Sequence, residues 1–345
     1  MTMTSKERLV KALKGERVDR PPFICPGGMM NMATVEVMKH VCAPWPDAHV
    51  NPQKMSQLAL GVSRLTGIEN LGVPFCMTVE AESLGARVVM GTLETEPRVA
   101  GYPLREVDQW PALKEAASGT ARVQTVTEAV SLLARDENGL PVIANLTGPV
   151  TLATSLVEPM AFFKAMGKQP EVVHDLLSFI SGRLIAFGKA QLQAGAEVLT
   201  IADPSGTGEI LGPRRFAEFA LPYLNCILEE LKGCCKATIV HICGRLGSIF
   251  QEVDQLKADA ISIDSLTSVS DLKNALSNKV VVGNVSTYLL QKGRPDRIEH
   301  AAAACLKHGA AVLSPACGIS PLTPLANLQA MAHAAKEFSP GGTGN

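Results

Sequence analysis

Ala237-Thr-Ile-Val-His-Ile-Cys-Gly244 is a β-branched run too short for a helix, closed by a His-x-Cys pair and a glycine. The same form, an aliphatic run with polar residues at or just past its end, recurs along the chain. It appears at Val142 to Asn145, Glu197 to Ile201, Ala260 to Ile263, Lys279 to Val282 and Ala311 to Ser314. Helical patterns such as Glu171 to Leu192 separate these runs. Strands alternating with helices imply parallel strands joined by right-handed crossovers. Phe23-Ile24-Cys25 and an apolar stretch near Asn70 to Phe75 raise the number of predicted strands to eight. Eight such units within 345 residues predict an α/β chain folded as a (β/α)8 TIM barrel, with a doubly wound open sheet as the alternative.

Around this repeat the chain carries two additions. Ser5 to Gly15 has apolar residues Leu9, Val10, Ala12 and Leu13 at helical spacing and stops at glycine, which predicts an N-terminal helical extension. Ala86-Arg-Val-Val-Met90, followed by Thr92 to Val99, predicts a hairpin insertion, and Pro52 to Thr66 a helix. Residues 1–338 are read as one barrel domain and Ser339 to Asn345 as a disordered tail. Met29, Met30, Met32 and Met38 read as gap-filling core.

Composition excludes several functions. A net charge of −1, a pI near 6.7 and scattered Lys and Arg leave no footprint for nucleic acid or anionic lipid. No apolar run reaches the roughly 18 residues of a membrane span, and Met1-Thr-Met-Thr-Ser-Lys-Glu7 lacks the apolar centre of a secretory signal. Nine cysteines, an odd number, with Cys76, Cys226, Cys234 and Cys305 in apolar or helical contexts, fit buried reduced thiols and a cytoplasmic location. There is no Gly-x-Gly-x-x-Gly after a predicted strand, no Walker lysine, no Gly-x-Ser-x-Gly and no His-Glu-x-x-His.

In a barrel the chemistry sits at the carboxyl ends of the strands. There the chain places Cys25, Glu80, Glu82, Asn145, Thr147, Asp203, His241, Cys243, Asp264, Asn284 and Cys317. Cys243 and Cys317 are 74 residues apart, too far for a zinc-finger loop but suited to ligands carried by different strands. Two thiolates and an imidazole make a three-ligand set with an open fourth position, the pattern of a catalytic zinc site. Asp264 is read equally as a labile fourth ligand or as an acceptor that orients His241. Glu80, Asn145, Asp203 and Asn284 are the candidate substrate-binding residues, with a turn or helix cap as the other reading of Asp203.

Arg8-Leu9, Ala12 to Glu16, Val18-Asp-Arg-Pro-Pro22, Gly148-Pro149, Gly283-Asn-Val285 and Gly318 to Pro324 resemble the uroporphyrinogen decarboxylase superfamily along nearly the whole chain. Val73 to Glu82, Ala202-Asp-Pro-Ser205, His241-x-Cys243-Gly and Pro315-Ala-Cys317-Gly-Ile are similar to its methylcobamide:coenzyme M methyltransferase branch. The resemblance implies a (β/α)8 barrel with His241, Cys243 and Cys317 as zinc ligands. In that branch an acidic residue after the sixth strand, typically glutamate, can be the fourth ligand, and here the shorter Asp264 stands there. The decarboxylase branch has an Arg-Gln-Ala-Gly-Arg-Tyr anion clamp where this chain has Pro26-Gly-Gly-Met-Met-Asn31.

The function so implied is methyl transfer from a methylated corrinoid, carried by a separate corrinoid protein, to a small thiol such as coenzyme M. The chain itself has no Asp-x-His-x-x-Gly corrinoid signature. The alternatives are transfer from a methoxylated or other small donor to a corrinoid protein, porphyrinogen decarboxylation, and a non-catalytic corrinoid- or zinc-binding role. A homodimer is the prior expectation for oligomeric state.

Overall fold

The computed structural model describes residues 3–26, 32–116, 121–136 and 139–338. The predicted tail and Met29 and Met30 lie outside them. Seven parallel strands form one curled sheet in the order β1 (Leu71–Val73), β4 (Val142–Thr147), β5 (Val198–Ala202), β6 (Ala237–Ile242), β7 (Ala260–Ile263), β8 (Val280–Val285) and β9 (Val312–Pro315). Helices lie between consecutive strands, as βαβ connections require. The first predicted strand is shorter than expected. Phe23 makes a single parallel bridge with Leu313.

That short segment nevertheless spans the seam of the barrel. The Leu313 N–H donates to the Pro22 carbonyl and the Ile24 N–H to the Leu313 carbonyl, while the Glu69 N–H, just before β1, donates to the Phe23 carbonyl. Proline at 21 and 22 removes two backbone donors, so a longer ladder could not form upstream of Phe23. The fold is a (β/α)8 barrel whose eighth position is one bridge wide. The hairpin insertion is present as the antiparallel pair β2 (Arg87–Val89) and β3 (Arg98–Gly101).

Side-chain alternation decides what the bore contains. Ile143, Val198, Ala237, Ile239, Ala260, Val282 and Val312 pack together with Ile24 and with Leu9, Ala12 and Leu13 of the N-terminal helix Ser5–Leu13. That helix is a plug at the amino-terminal end of the strands. Residues two further along each strand share the same face, and they are polar: Asn145, Thr200, His241, Ser262 and Ser314, all buried. The bore therefore turns from apolar to polar toward the carboxyl ends. The intervening residues, among them Leu146, Ile201, Val240, Ile261 and Leu313, join the larger core under the helices.

None of the nine cysteines forms a disulfide. Cys76 and Cys305 are buried as expected, but Cys226 and Cys234 are exposed, because each falls on the outer side of its helix or turn. Among the described residues no helix is long and apolar enough to cross a membrane.

Candidate metal centre

His241 is the last bore-facing residue of β6, and Cys243 stands one residue past the strand. Two residues after Pro315, the last residue of β9, the chain supplies Cys317. Among the described residues these three are the only group of His, Cys, Asp or Glu side chains assembled as metal ligands, their donor atoms lying within 4.8 Å of one another. The His241 Nε2 is 3.1 Å from the Cys243 Sγ, which is 3.6 Å from the Cys317 Sγ. His241 is buried and both cysteines are half-buried.

The two sulfurs lie within hydrogen-bonding reach of each other. The Cys243 hydrogen bond, aided by one from His241, pulls the Cys317 thiol well below the usual thiol range against the opposing effect of burial. The same bond to Cys317, together with burial, pushes Cys243 up. A divalent cation would hold both sulfurs as thiolates, the ligating form. Two sulfurs and one imidazole nitrogen are the soft donor set that zinc accepts.

The second ring nitrogen of His241 also has a partner. Nδ1 is 3.0 Å from the Ser262 hydroxyl, on the residue directly opposite in the β6–β7 register. The orienting acceptor, one of the two readings of Asp264 from the sequence, is here Ser262, a residue the sequence reading does not single out. The signal was present: Ser262 is the one polar residue within the buried run Ala260-Ile-Ser-Ile263. The half-buried Asp264 is not a member of the three-ligand group. Its carboxylate accepts from the Leu266 N–H at 3.0 Å and the Ser265 hydroxyl at 3.3 Å, turning its own loop.

The candidate substrate residues are spread around the mouth rather than gathered on the ligands. Asp203 is fully buried at the start of the helix Pro149–Leu156. One carboxylate oxygen accepts from the Thr151 N–H at 2.8 Å and the Thr151 hydroxyl at 2.5 Å, the other from the Val150 N–H at 3.2 Å. A Cβ on Gly148 would sit 2.2 Å from the Asp203 Cβ, so only glycine permits this approach. The geometry is that of a helix N-terminus whose free N–H groups are satisfied by a side-chain carboxyl, the turn-and-cap reading of Asp203, although burial pushes that carboxyl up. Asn284 lies within β8, one residue short of its end, and its amide donates to the Asp264 and Thr267 carbonyls.

Glu80 and Asn145 occupy the β1–β4 sector. Glu80 accepts from the Thr147 N–H at 2.8 Å, burial pushes its carboxyl up, and its Oε2 has no protein partner. Asn145 donates to the Val73 and Ile143 carbonyls, leaving its Oδ1 without a partner. Buried polar atoms of this kind are met by water or ligand. Nearby, Arg122 bonds Cys76, Thr78 and Glu82.

The uroporphyrinogen decarboxylase (URO-D) family model matches residues 4–338. The chain is 33% identical over 337 residues to a methylcobamide:CoM methyltransferase, MtbA, of Methanosarcina mazei, covering 97% of this chain and 98% of that one. It is 31% identical over 342 residues to a methylated-thiol–coenzyme M methyltransferase of the same species, covering 97% and 90%. The solved structure of a methyltransferase from Methanosarcina mazei superposes with a TM-score of 0.88 at 33% identity, over 97% of this chain and 99% of that one.

Proposed function

The chain belongs to the uroporphyrinogen decarboxylase family, and on that premise we propose that it is a zinc-dependent methyltransferase moving a methyl group from a methylated corrinoid to a small thiol such as coenzyme M. The observation that carries this reading is the three-ligand group His241, Cys243 and Cys317 at the mouth of the barrel. It leaves a fourth position to a substrate sulfur. The name of the methylcobamide:CoM methyltransferase among its relatives supports the same pair of substrates, and that of the methylated-thiol–coenzyme M methyltransferase supports coenzyme M alone.

A zinc ion bound there supplies the positive charge that holds an incoming thiol as thiolate at neutral pH. The residues of the chain do the rest. Ser262 on Nδ1 keeps the His241 ring turned so that Nε2 faces the two sulfurs. Cys243 and Cys317, as thiolates, offset the charge of the cation and leave the substrate sulfur electron-rich. Asp264, on the neighbouring loop, is a candidate for the position that an arriving thiol takes, and Glu80, Asn145 and Asn284 bound the space around it. The substrate sulfur takes the methyl group from cobalt, and both electrons of the cobalt–carbon bond remain with the corrinoid. A partner protein delivers that corrinoid, since the chain lacks a corrinoid-binding motif of its own.

The methylated-thiol relative favours one second reading, in which a small methylated donor occupies the same position and the corrinoid receives the methyl group. Decarboxylation fits less well, because Pro26 to Asn31 carries no arginine for a polycarboxylate. The test is zinc content together with turnover of methylcobalamin and coenzyme M. Wild-type protein should hold one zinc per chain and transfer methyl, and Cys243→Ala should lose both. Full turnover by zinc-free protein would refute the proposal.

A further inference from the structure

Cys243 stands where the sheet no longer holds the backbone. Pairing of β6 ends at Ala202↔His241 on one side and Ile242↔Ile263 on the other. The next residue, Gly244, has φ +77°, a left-handed turn in which few side chains are tolerated. The direction of the Cys243 side chain thus depends on whatever fixes the turn Gly244 to Leu246.

From this geometry we infer that Thr267, on the loop after β7, is the positioning residue for the Cys243 sulfur; the inference rests on the metal reading above. The Thr267 hydroxyl donates to the Gly244 carbonyl at 2.8 Å and accepts from the Leu246 N–H at 3.0 Å, clamping both ends of the turn with one oxygen. Thr267 is buried, as is Leu246, so water does not substitute for these bonds. Thr267 is itself held. Its carbonyl accepts from the Asn284 amide at 2.8 Å. The Asn284 N–H in turn donates to the Cys305 sulfur at 2.9 Å, and the Cys305 thiol donates to the Gly283 carbonyl at 2.6 Å. A brace therefore runs from the helix Pro295–Lys307 through β8 and the β7 loop to the turn beside the ligand. On the opposite side Glu209 accepts from the Arg245 N–H at 3.0 Å, but its carboxylate is half exposed and water competes for that bond.

Groups that orient a metal ligand change metal affinity without touching the metal. Thr267→Val keeps the shape of the side chain and removes the hydroxyl; Thr267→Ser keeps the hydroxyl. Thr125→Val, which removes a buried hydroxyl from the helix Ala121–Ala134, serves as a control for general loss of stability.

The experiment is titration of each reduced protein with Co2+, following thiolate-to-cobalt charge-transfer absorption, with chelator competition for affinity and far-ultraviolet circular dichroism for folding. Wild type, Thr267→Ser and Thr125→Val should bind one Co2+ with the same band. Thr267→Val should bind about 10- to 100-fold more weakly, with a weaker or shifted band. Asn284→Ala should shift in the same direction, and it decides the matter if Thr267→Val does not fold. Unchanged affinity and spectrum in folded Thr267→Val, or in Asn284→Ala where that variant decides, overturn this inference and leave the metal reading intact. A wild-type protein with no charge-transfer band overturns the metal reading and this inference with it.

Discussion

At the scale of single residues, similar polar side chains at the strand ends divide into two kinds of work. His241, Cys243 and Cys317 turn their donor atoms toward one another, whereas Asp203 turns its oxygens toward the start of a helix. Asp203→Ala should therefore act on stability. It strands three buried donors, each costing about 1–3 kcal/mol when unpaired; with partial relaxation the expected loss is about 3 kcal/mol. Urea unfolding measures it, and zinc content per folded chain should stay at the wild-type value. A variant of normal stability that no longer binds its substrate would assign Asp203 to the substrate instead. Ser262 shows why such divisions are hard to read in one dimension: its partner is 21 residues away and is chosen by strand register.

Among the elements, the N-terminal helix Ser5–Leu13 carries an ion-pair network as well as an apolar plug. The buried Arg8 guanidinium grips both oxygens of Asp19, at 2.7 and 2.9 Å, and reaches Glu69 at 2.8 Å. Arg20 binds both oxygens of Glu69, whose Oε1 also accepts the Phe23 N–H. The network thus ties the helix to the seam between Phe23 and β1. The Arg8 hydrogen bond holds the Asp19 carboxyl well below the usual carboxylate range. A carboxylate lowered in the folded state contributes stability above its unfolded pKa, near 3.9, and loses that contribution as pH falls toward the folded value. Asp19→Asn should thus be less stable than wild type at pH 7, with the difference shrinking steadily below about pH 4. Urea midpoints measured from pH 7 to pH 3 check this; a constant gap would remove the Arg8–Asp19 pair from the account.

For the whole molecule, the proposed ligands come from the end of β6 and the loop after β9, so a bound ion would link two strands that are not neighbours in the sheet and have β7 and β8 between them. Binding to the folded state alone adds RT ln(1 + [L]/Kd), about 2.7 kcal/mol at a hundredfold excess over Kd. Zinc should raise the thermal midpoint of wild-type protein, a strong chelator should lower it, and Cys317→Ala should respond to neither. An equal response in Cys317→Ala would place the stabilising ion elsewhere.

The barrel was legible in the sequence because each βαβ unit is local. Runs such as Val142 to Asn145 and Ala260 to Ile263 announce buried parallel strands through composition alone, and chirality leaves few ways to join them. The residue types at the strand ends were legible for the same reason. Which of them share a point in space was a different matter, since that depends on register, on closure through the single bridge at Phe23, and on loops clamped by Asn284 and Thr267. Asp203, Asp264 and Asn284 all stand at the expected end of the barrel, yet Asp264 turns back onto its own loop, and the polar atoms of Asp203 and Asn284 are directed to backbone partners that only the folded chain brings within reach. Local hydrophobic pattern determined the architecture; long-range hydrogen bonds, made after the chain had closed, decided which of the polar groups at its mouth face one another.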